Sequence, residues 1–208
     1  MLHIGCHLSV SKGFTALVRE ALSLNADTFQ FFSRNPRGGA AKDMDPADVA
    51  AANDLMAQHA FAPVLMHAPY TLNPASQDPK IRSFAQTVMA DDLTRLARIN
   101  NAMYNFHPGS HVGQGVGAGI SNICALLNHI LTPDSADHVL LETMSGKGSE
   151  IGATFGELAE IMAQTTFGDR LGVCLDTCHV YAAGYDIVSC LDKVLADFDK
   201  TIGLKHLK

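Results

Sequence analysis

The sequence predicts an α/β fold of the (β/α)8 TIM-barrel type, incomplete, with about seven strand–helix units and the final strand missing. Three observations predict it. Short apolar runs alternate with helix-periodic stretches along the whole chain, the pattern of a parallel sheet buried on both faces. No linker or shift in composition divides the 208 residues, so residues 1–208 are expected to form a single domain. Polar residues close successive apolar runs: His7, Ser33, His67, His107, Glu142 and Asp176. In a barrel those strand ends meet at one mouth, whereas an open sheet spreads them along a line. The fingerprint G-x-G-x-x-G does not follow the first run, which weakens a doubly wound nucleotide-binding sheet.

The elements follow in order. Leu2–Leu8 reads as the first strand, and Ser11-Lys12-Gly13 leads into a helix from Phe14 to Leu24 with Leu17, Val18, Ala21 and Leu22 at helical spacing. Thr28–Ser33 reads as a strand, and Asp45-Pro46 caps a helix to about His59. Pro63–His67 is a strand. Asp78-Pro79 opens a long helix to about Ile99, with Ile81, Phe84, Val88, Leu93, Leu96 and Ala97 expected to face inward. Ala102–Phe106, His138–Leu141 and Leu171–Leu175 read as strands; Ile120–Leu131, Phe155–Ala163 and Cys190–Phe198 read as helices. Gly203–Leu207 is expected to be a further strand.

Fifteen Lys and Arg against 21 Asp and Glu give a net charge of −6. No overall basic field draws the chain to nucleic acid or anionic membranes, so a nucleic-acid site must be a local patch or depend on bound cations. The first residues have no cationic n-region with an apolar h-region, and no window approaches the roughly 20 apolar residues of a membrane helix. The five cysteines are scattered, without a C-x-x-C pair. Reduced thiols and a cytoplasmic location, with no membrane partner and no obligate protein partner, are the expectation.

Four strand ends carry the chemistry. His67, before Ala68-Pro69-Tyr70, taken alone reads as a core histidine satisfied by backbone groups. His107-Pro108-Gly109-Ser110-His111 adds amides and a hydroxyl suited to an anion, and a turn accounts for Pro108 and Gly109 but not for the histidine. Glu142 ends an apolar strand, where a carboxylate is costly unless paired or bound to a cation. Asp176 ends another strand, with His179 three residues on; alone, Asp176 reads equally as a helix cap. Taken together, three imidazoles and two carboxylates supply the N and O donors that zinc or manganese takes. A carboxylate bridging two cations also removes the repulsion between the acids. Cys174, inside an apolar strand, is better read as core, and nothing requires Cys178 to bind metal.

These motifs resemble the endonuclease IV family of apurinic/apyrimidinic (AP) endonucleases along nearly the entire chain. The specific stretches are Gly5-Cys-His7-Leu-Ser9, His67-Ala-Pro-Tyr70-Thr-Leu-Asn73, Asn105-Phe-His107-Pro-Gly-Ser-His111, Glu142-Thr-Met-Ser-Gly146-Lys-Gly148-Ser149, and Gly172-Val-Cys-Leu-Asp176-Thr-Cys-His179 with Ala182-Ala-Gly184-Tyr185-Asp186. The resemblance implies a barrel with up to three metals, usually zinc, that hydrolyses the phosphodiester 5′ to an abasic site in double-stranded DNA. It implies that His67, His107 and Glu142 hold one metal, that Glu142 bridges to a second bound by Asp176, and that His179 serves a third. Glu142 and Asp176 are then the catalytic carboxylates. Arg37 and Tyr70 match positions that enter DNA, and His111 is a candidate phosphate contact. Thr71 stands where the family carries an apolar wedge.

The family continues past the seventh strand with a His-x-Asn-Asp segment, an Asp-x-His pair and a Leu-Glu-Thr strand end, none of which follows Lys208. The chain is therefore expected to be a fragment with little incision activity of its own. Two rivals stand beside this reading. One is a xylose-isomerase-like sugar isomerase or epimerase with a single divalent metal, which needs Glu142 and Asp176 but not three histidines. The other is a non-catalytic fragment that binds DNA or a partner.

Overall fold

A computed structural model describes residues 2–208 of the chain. Parallel strands alternate with helices throughout, and backbone contacts group the residues into two compact units, Met1–Thr71 with Ala90–Asn105 and Leu72–Met89 with Phe106–Lys208.

In the first unit β1 (Gly5–His7), β2 (Thr28–Phe32), β3 (Val64–His67) and all but the last residue of β4 (Ala102–Phe106) lie side by side in parallel. The register sets Phe32 level with His67, and His67 level with Asn105. Helices α1 (Phe14–Ser23) and α2 (Pro46–Gln58) pack together, α1 burying Phe14, Leu17, Val18 and Ala21 and α2 burying Val49, Ala52 and Met56. Asp45 caps α2 as expected, accepting from the Ala47 amide at 2.9 Å. Phe14 meets Phe31 edge-to-face at 5.7 Å. The Leu2–Leu8 run shortens to three strand residues, and Leu2 and Ile4 are exposed.

Helix α3 (Pro79–Leu96) begins at the expected cap, the Lys80 amide donating to Asp78 at 2.8 Å. Its inward stripe corrects the sequence expectation. Val88, Leu93 and Leu96 are buried, but Ile81, Phe84 and Ala97 are exposed, and Ala85, Met89 and Asp92 are buried in their stead. The stripe is rotated because a charged residue lies on it, and hydrophobic periodicity assigns such a residue to solvent.

In the second unit β5 (Val139–Glu142) and β6 (Gly172–Cys174) pair in parallel, Glu142 level with Cys174. All four residues of β5 are buried, as a strand covered on both faces requires. Helix α4 (Val116–Ile130) starts four residues earlier than its pattern suggests, and packs on α6 (Phe155–Gln164). Phe155 of α6 meets Phe198 of α8 (Leu191–Thr201) at 5.1 Å. Two short helices, α5 (Pro133–Ala136) and α7 (Thr177–Ala182), add to the expected set, each too short to show a period in the sequence.

The expected seventh strand is not one. Leu204–His206 forms a 3-10 turn, and only Leu207 bridges to Val173, with the Lys208 amide donating to the Val173 carbonyl at 3.1 Å. Gly203, at φ 98°, turns the backbone there. Among the described residues no helix is long and apolar enough to cross a membrane.

Candidate metal centre

The site begins with Glu142, the last residue of β5. Parallel pairing fixes its main chain beside Cys174, and burial leaves the carboxylate little solvent. His107 follows β4, where the turn Pro108-Gly109 redirects the chain, and its Nε2 lies 3.3 Å from Glu142 Oε2. His179, in α7, brings Nδ1 to 3.4 Å from Glu142 Oε1 and 3.9 Å from Asp176 Oδ2. The two imidazoles meet edge-on with centroids 5.6 Å apart. Side chains far apart along the chain thus converge.

Asp176 fills the helix-cap role weighed for it and turns its second oxygen toward His179. Its Oδ1 caps α7, accepting from the His179 amide at 2.8 Å, while Oδ2 faces the imidazole. Glu142, Asp176 and His179 each offer a ligand atom within 4.8 Å of the others. The donor set fits a divalent ion. Two ligands on one tetrahedral zinc, each about 2.1 Å from it, stand about 3.4 Å apart, and the His107–Glu142 separation is 3.3 Å. The mixture of imidazole and carboxylate suits zinc or manganese.

Thr143 holds these parts in register, a role the sequence did not disclose. Its amide donates to the Cys174 carbonyl at 3.0 Å, and its hydroxyl accepts from the Asp176 amide at 2.9 Å. Its carbonyl lies 2.8 Å from His179 Nδ1. With the proton on Nδ1 and donated to that carbonyl, the lone pair of His179 is on Nε2. Asn73 is a second such residue. It clamps the His107 loop from both sides, its Nδ2 donating to the Ser110 carbonyl at 3.0 Å and its Oδ1 accepting from the Ser110 amide at 2.9 Å. Their signal in the sequence was only that each sits inside a motif.

Cys174, expected to be core, is partly buried at the end of β6. Burial, with the Glu142 and Asp176 charges adding, pushes its thiol up to about 12, so it remains neutral. His111 lies at the edge of the same unit, half-buried. The Gly115 amide donates to its Nδ1 at 3.1 Å, which leaves Nε2–H as the donor.

His67 belongs to the first unit, buried at the end of β3, with Nδ1 2.6 Å from the Ala68 carbonyl. Phe32 stands between it and His7, with centroids 5.2 and 4.7 Å away. Burial, and the charge of His67, lower the His7 imidazole. Arg37 and Tyr70, also in the first unit, are both exposed and touch, the Arg37 Nε donating to the Tyr70 hydroxyl at 3.0 Å.

The model of the family described as xylose isomerase-like TIM barrel matches residues 18–208. The chain is 56% identical over 207 residues to "Probable endonuclease 4" of Alkaliphilus oremlandii, covering all of this chain and 74% of that protein. It is 55% identical over 208 residues to the protein of the same name from Akkermansia muciniphila, covering 75% of it. Among solved structures, endonuclease IV from Thermus thermophilus superposes with a TM-score of 0.85 at 32% identity, over 99% of this chain and 74% of that one. A D-tagatose 3-epimerase-like protein superposes at 0.71 with 19% identity, a likeness of fold alone.

Proposed function

The chain belongs to the endonuclease IV family of xylose-isomerase-like TIM barrels, metal-using AP endonucleases, and we propose that it binds double-stranded DNA at abasic sites and serves hydrolysis of the phosphodiester 5′ to them. The convergence of His107, Glu142, Asp176 and His179 carries this reading. These four are its proposed metal ligands, Glu142 and Asp176 its proposed catalytic carboxylates. His67 is proposed as a further ligand on its motif and its buried, carbonyl-anchored ring. Zinc, up to three ions in the family pattern, is the proposed metal, with manganese as the substitute.

Divalent ions there would neutralise the phosphate and activate water near neutral pH. The chain's own residues do the rest. Glu142 presents one oxygen to His107 Nε2, while its other oxygen lies beside His179 Nδ1, the nitrogen that faces the Thr143 carbonyl, so His179 would hold a metal through Nε2. Thr143 fixes the tautomer of His179 through its carbonyl. His111, with its proton on Nε2, can donate to a phosphate oxygen. Arg37 and Tyr70, exposed and hydrogen-bonded to each other, are proposed to enter the duplex at the lesion. A cytoplasmic location goes with this reading.

The sugar-epimerase alternative is disfavoured by identity: above 50% to proteins named endonuclease 4, and 19% to the epimerase-like structure. The test is anisotropy with two duplexes, one carrying a stable abasic analogue and one fully paired, in the presence of zinc. Preference for the abasic duplex, lost in Glu142→Gln, is the expected result. Equal affinity for the two duplexes would refute it.

A further inference from the structure

The connection from β2 to α2, residues 33–45, is long for a strand–helix link, which ordinarily takes about 2–6 residues. It carries Arg37 at an exposed position, yet it is tied down at three points. Arg34, with 4% of its side chain exposed, donates Nε to Asp92 at 2.8 Å, Nη2 to Asp91 at 2.5 Å and Nη1 to the Gly39 carbonyl at 2.5 Å. Arg95 donates Nη1 to the Lys42 carbonyl at 2.9 Å and Nε to Asp91 at 2.7 Å. At the tip, Asn35 Oδ1 accepts from the Arg37 amide at 2.9 Å.

Asp92 is fully buried on α3 and receives two further donors, Ser33 Oγ at 2.8 Å and the Tyr104 hydroxyl at 2.9 Å. Burial pushes its carboxyl up, against the pull of Arg34, Ser33 and Tyr104, and also pushes the Tyr104 hydroxyl well above its usual range. A buried pair of this kind contributes little net stability compared with apolar packing, but it permits few alternative arrangements. The planar guanidinium, with five donors in fixed directions, reaches two carboxylates and a loop carbonyl at once.

We propose that Arg34 and Asp92 are positioning residues that hold the 33–45 loop so that Arg37 is presented, beside Tyr70, in one conformation to damaged DNA. The claim rests on the proposed DNA role of Arg37. Holding the loop in advance removes an ordering cost from binding, so loosening it weakens the complex without removing any DNA contact.

Asp92→Asn and Arg34→Lys test it, with Arg37→Ala and the double variant Asp92→Asn/Arg37→Ala beside them. Hydrogen exchange at residues 35–42 should accelerate by about tenfold or more in Asp92→Asn and Arg34→Lys, with β5 amides unchanged. Affinity for the abasic-analogue duplex should fall about tenfold in Asp92→Asn, and the double variant should bind no worse than Arg37→Ala alone. Tyr104→Phe, which removes a donor to Asp92 from the strand side, should lower Tm while leaving loop exchange and affinity near wild type; this separates positioning from general stability. Unchanged loop exchange in both pair variants overturns the proposal. So does a loosened loop with undiminished affinity while Arg37→Ala weakens binding. If Arg37→Ala itself binds like wild type, the premise about Arg37 has failed, which the exchange data tell apart from failure of the anchor.

Discussion

At Thr143 one residue meets one segment through three groups: its amide, hydroxyl and carbonyl face Cys174, Asp176 and His179 of the β6–α7 region in turn. Thr143→Val keeps the shape and removes the hydroxyl acceptor, leaving the Asp176 amide without it. Loss of a support behind a ligand costs about 10–100-fold in metal affinity, and we expect Thr143→Val to bind zinc at least about tenfold more weakly in a competition titration. Unchanged affinity would show that β5 and β6 hold the ligands without it. The proposed ligands were legible as candidates because a His or Glu ending an apolar strand is chemically out of place. Thr143 and Asn73 were not, because their partners lie more than 30 residues away and are mostly backbone groups. Nothing in their types marks them.

The elements are held by contacts that short-range patterns only half reveal. Helix α1 begins at Gly13, which has no side chain to cap it, and Asp48 of α2 supplies the cap, accepting from the Phe14 amide at 2.6 Å and the Thr15 amide at 3.1 Å. Burial pushes the Asp48 carboxyl up, but the hydrogen bonds from Thr15 and Phe14 outweigh it and hold it below the usual range. The cap's contribution is therefore complete above the unfolded value, near pH 4, and is lost as pH falls through the lower folded value. Asp48→Ala should cost about 1 kcal/mol at pH 7 by denaturant unfolding, and the gap from wild type should close in acid. A gap that stays the same size as pH is lowered into the acid range would contradict the assignment.

Gly109 makes the second case. It has φ +94°, and a Cβ there would sit 2.4 Å from Asn73 Oδ1. Gly109→Ala should therefore break the Asn73 clamp, lowering stability by about 1–3 kcal/mol and weakening metal binding through His107. Wild-type behaviour in both would show that the turn tolerates the displacement. The periodicity that located α1 placed only half of the inward stripe of α3, since Asp92 faces inward there, and Gly203–Leu207, with Lys205 and His206 between its two leucines, closes as a turn.

On the scale of the whole molecule, charge decides how DNA is met. A chain of net charge −6 repels a polyanion unless cations intervene, and three divalent ions would bring six positive charges. Affinity for the abasic duplex should thus fall on chelation as well as with added salt. DNA affinity indifferent to EDTA would mean that recognition does not depend on the metal centre. The alternation of strands and helices was readable from the sequence because most of the parallel strands are short, mainly apolar runs, β5 being buried along its whole length, while the division into two compact units has no mark in composition.

The central claim is that His107, Glu142, Asp176 and His179 clasp divalent metal. Crystals grown with zinc, and an anomalous difference map at the zinc absorption edge, address it directly. The account predicts density bonded to the Glu142 carboxylate at about 2.0–2.2 Å, with imidazole nitrogen completing the shell. Zinc bound only elsewhere on the chain, with Glu142 coordinating none, would contradict it.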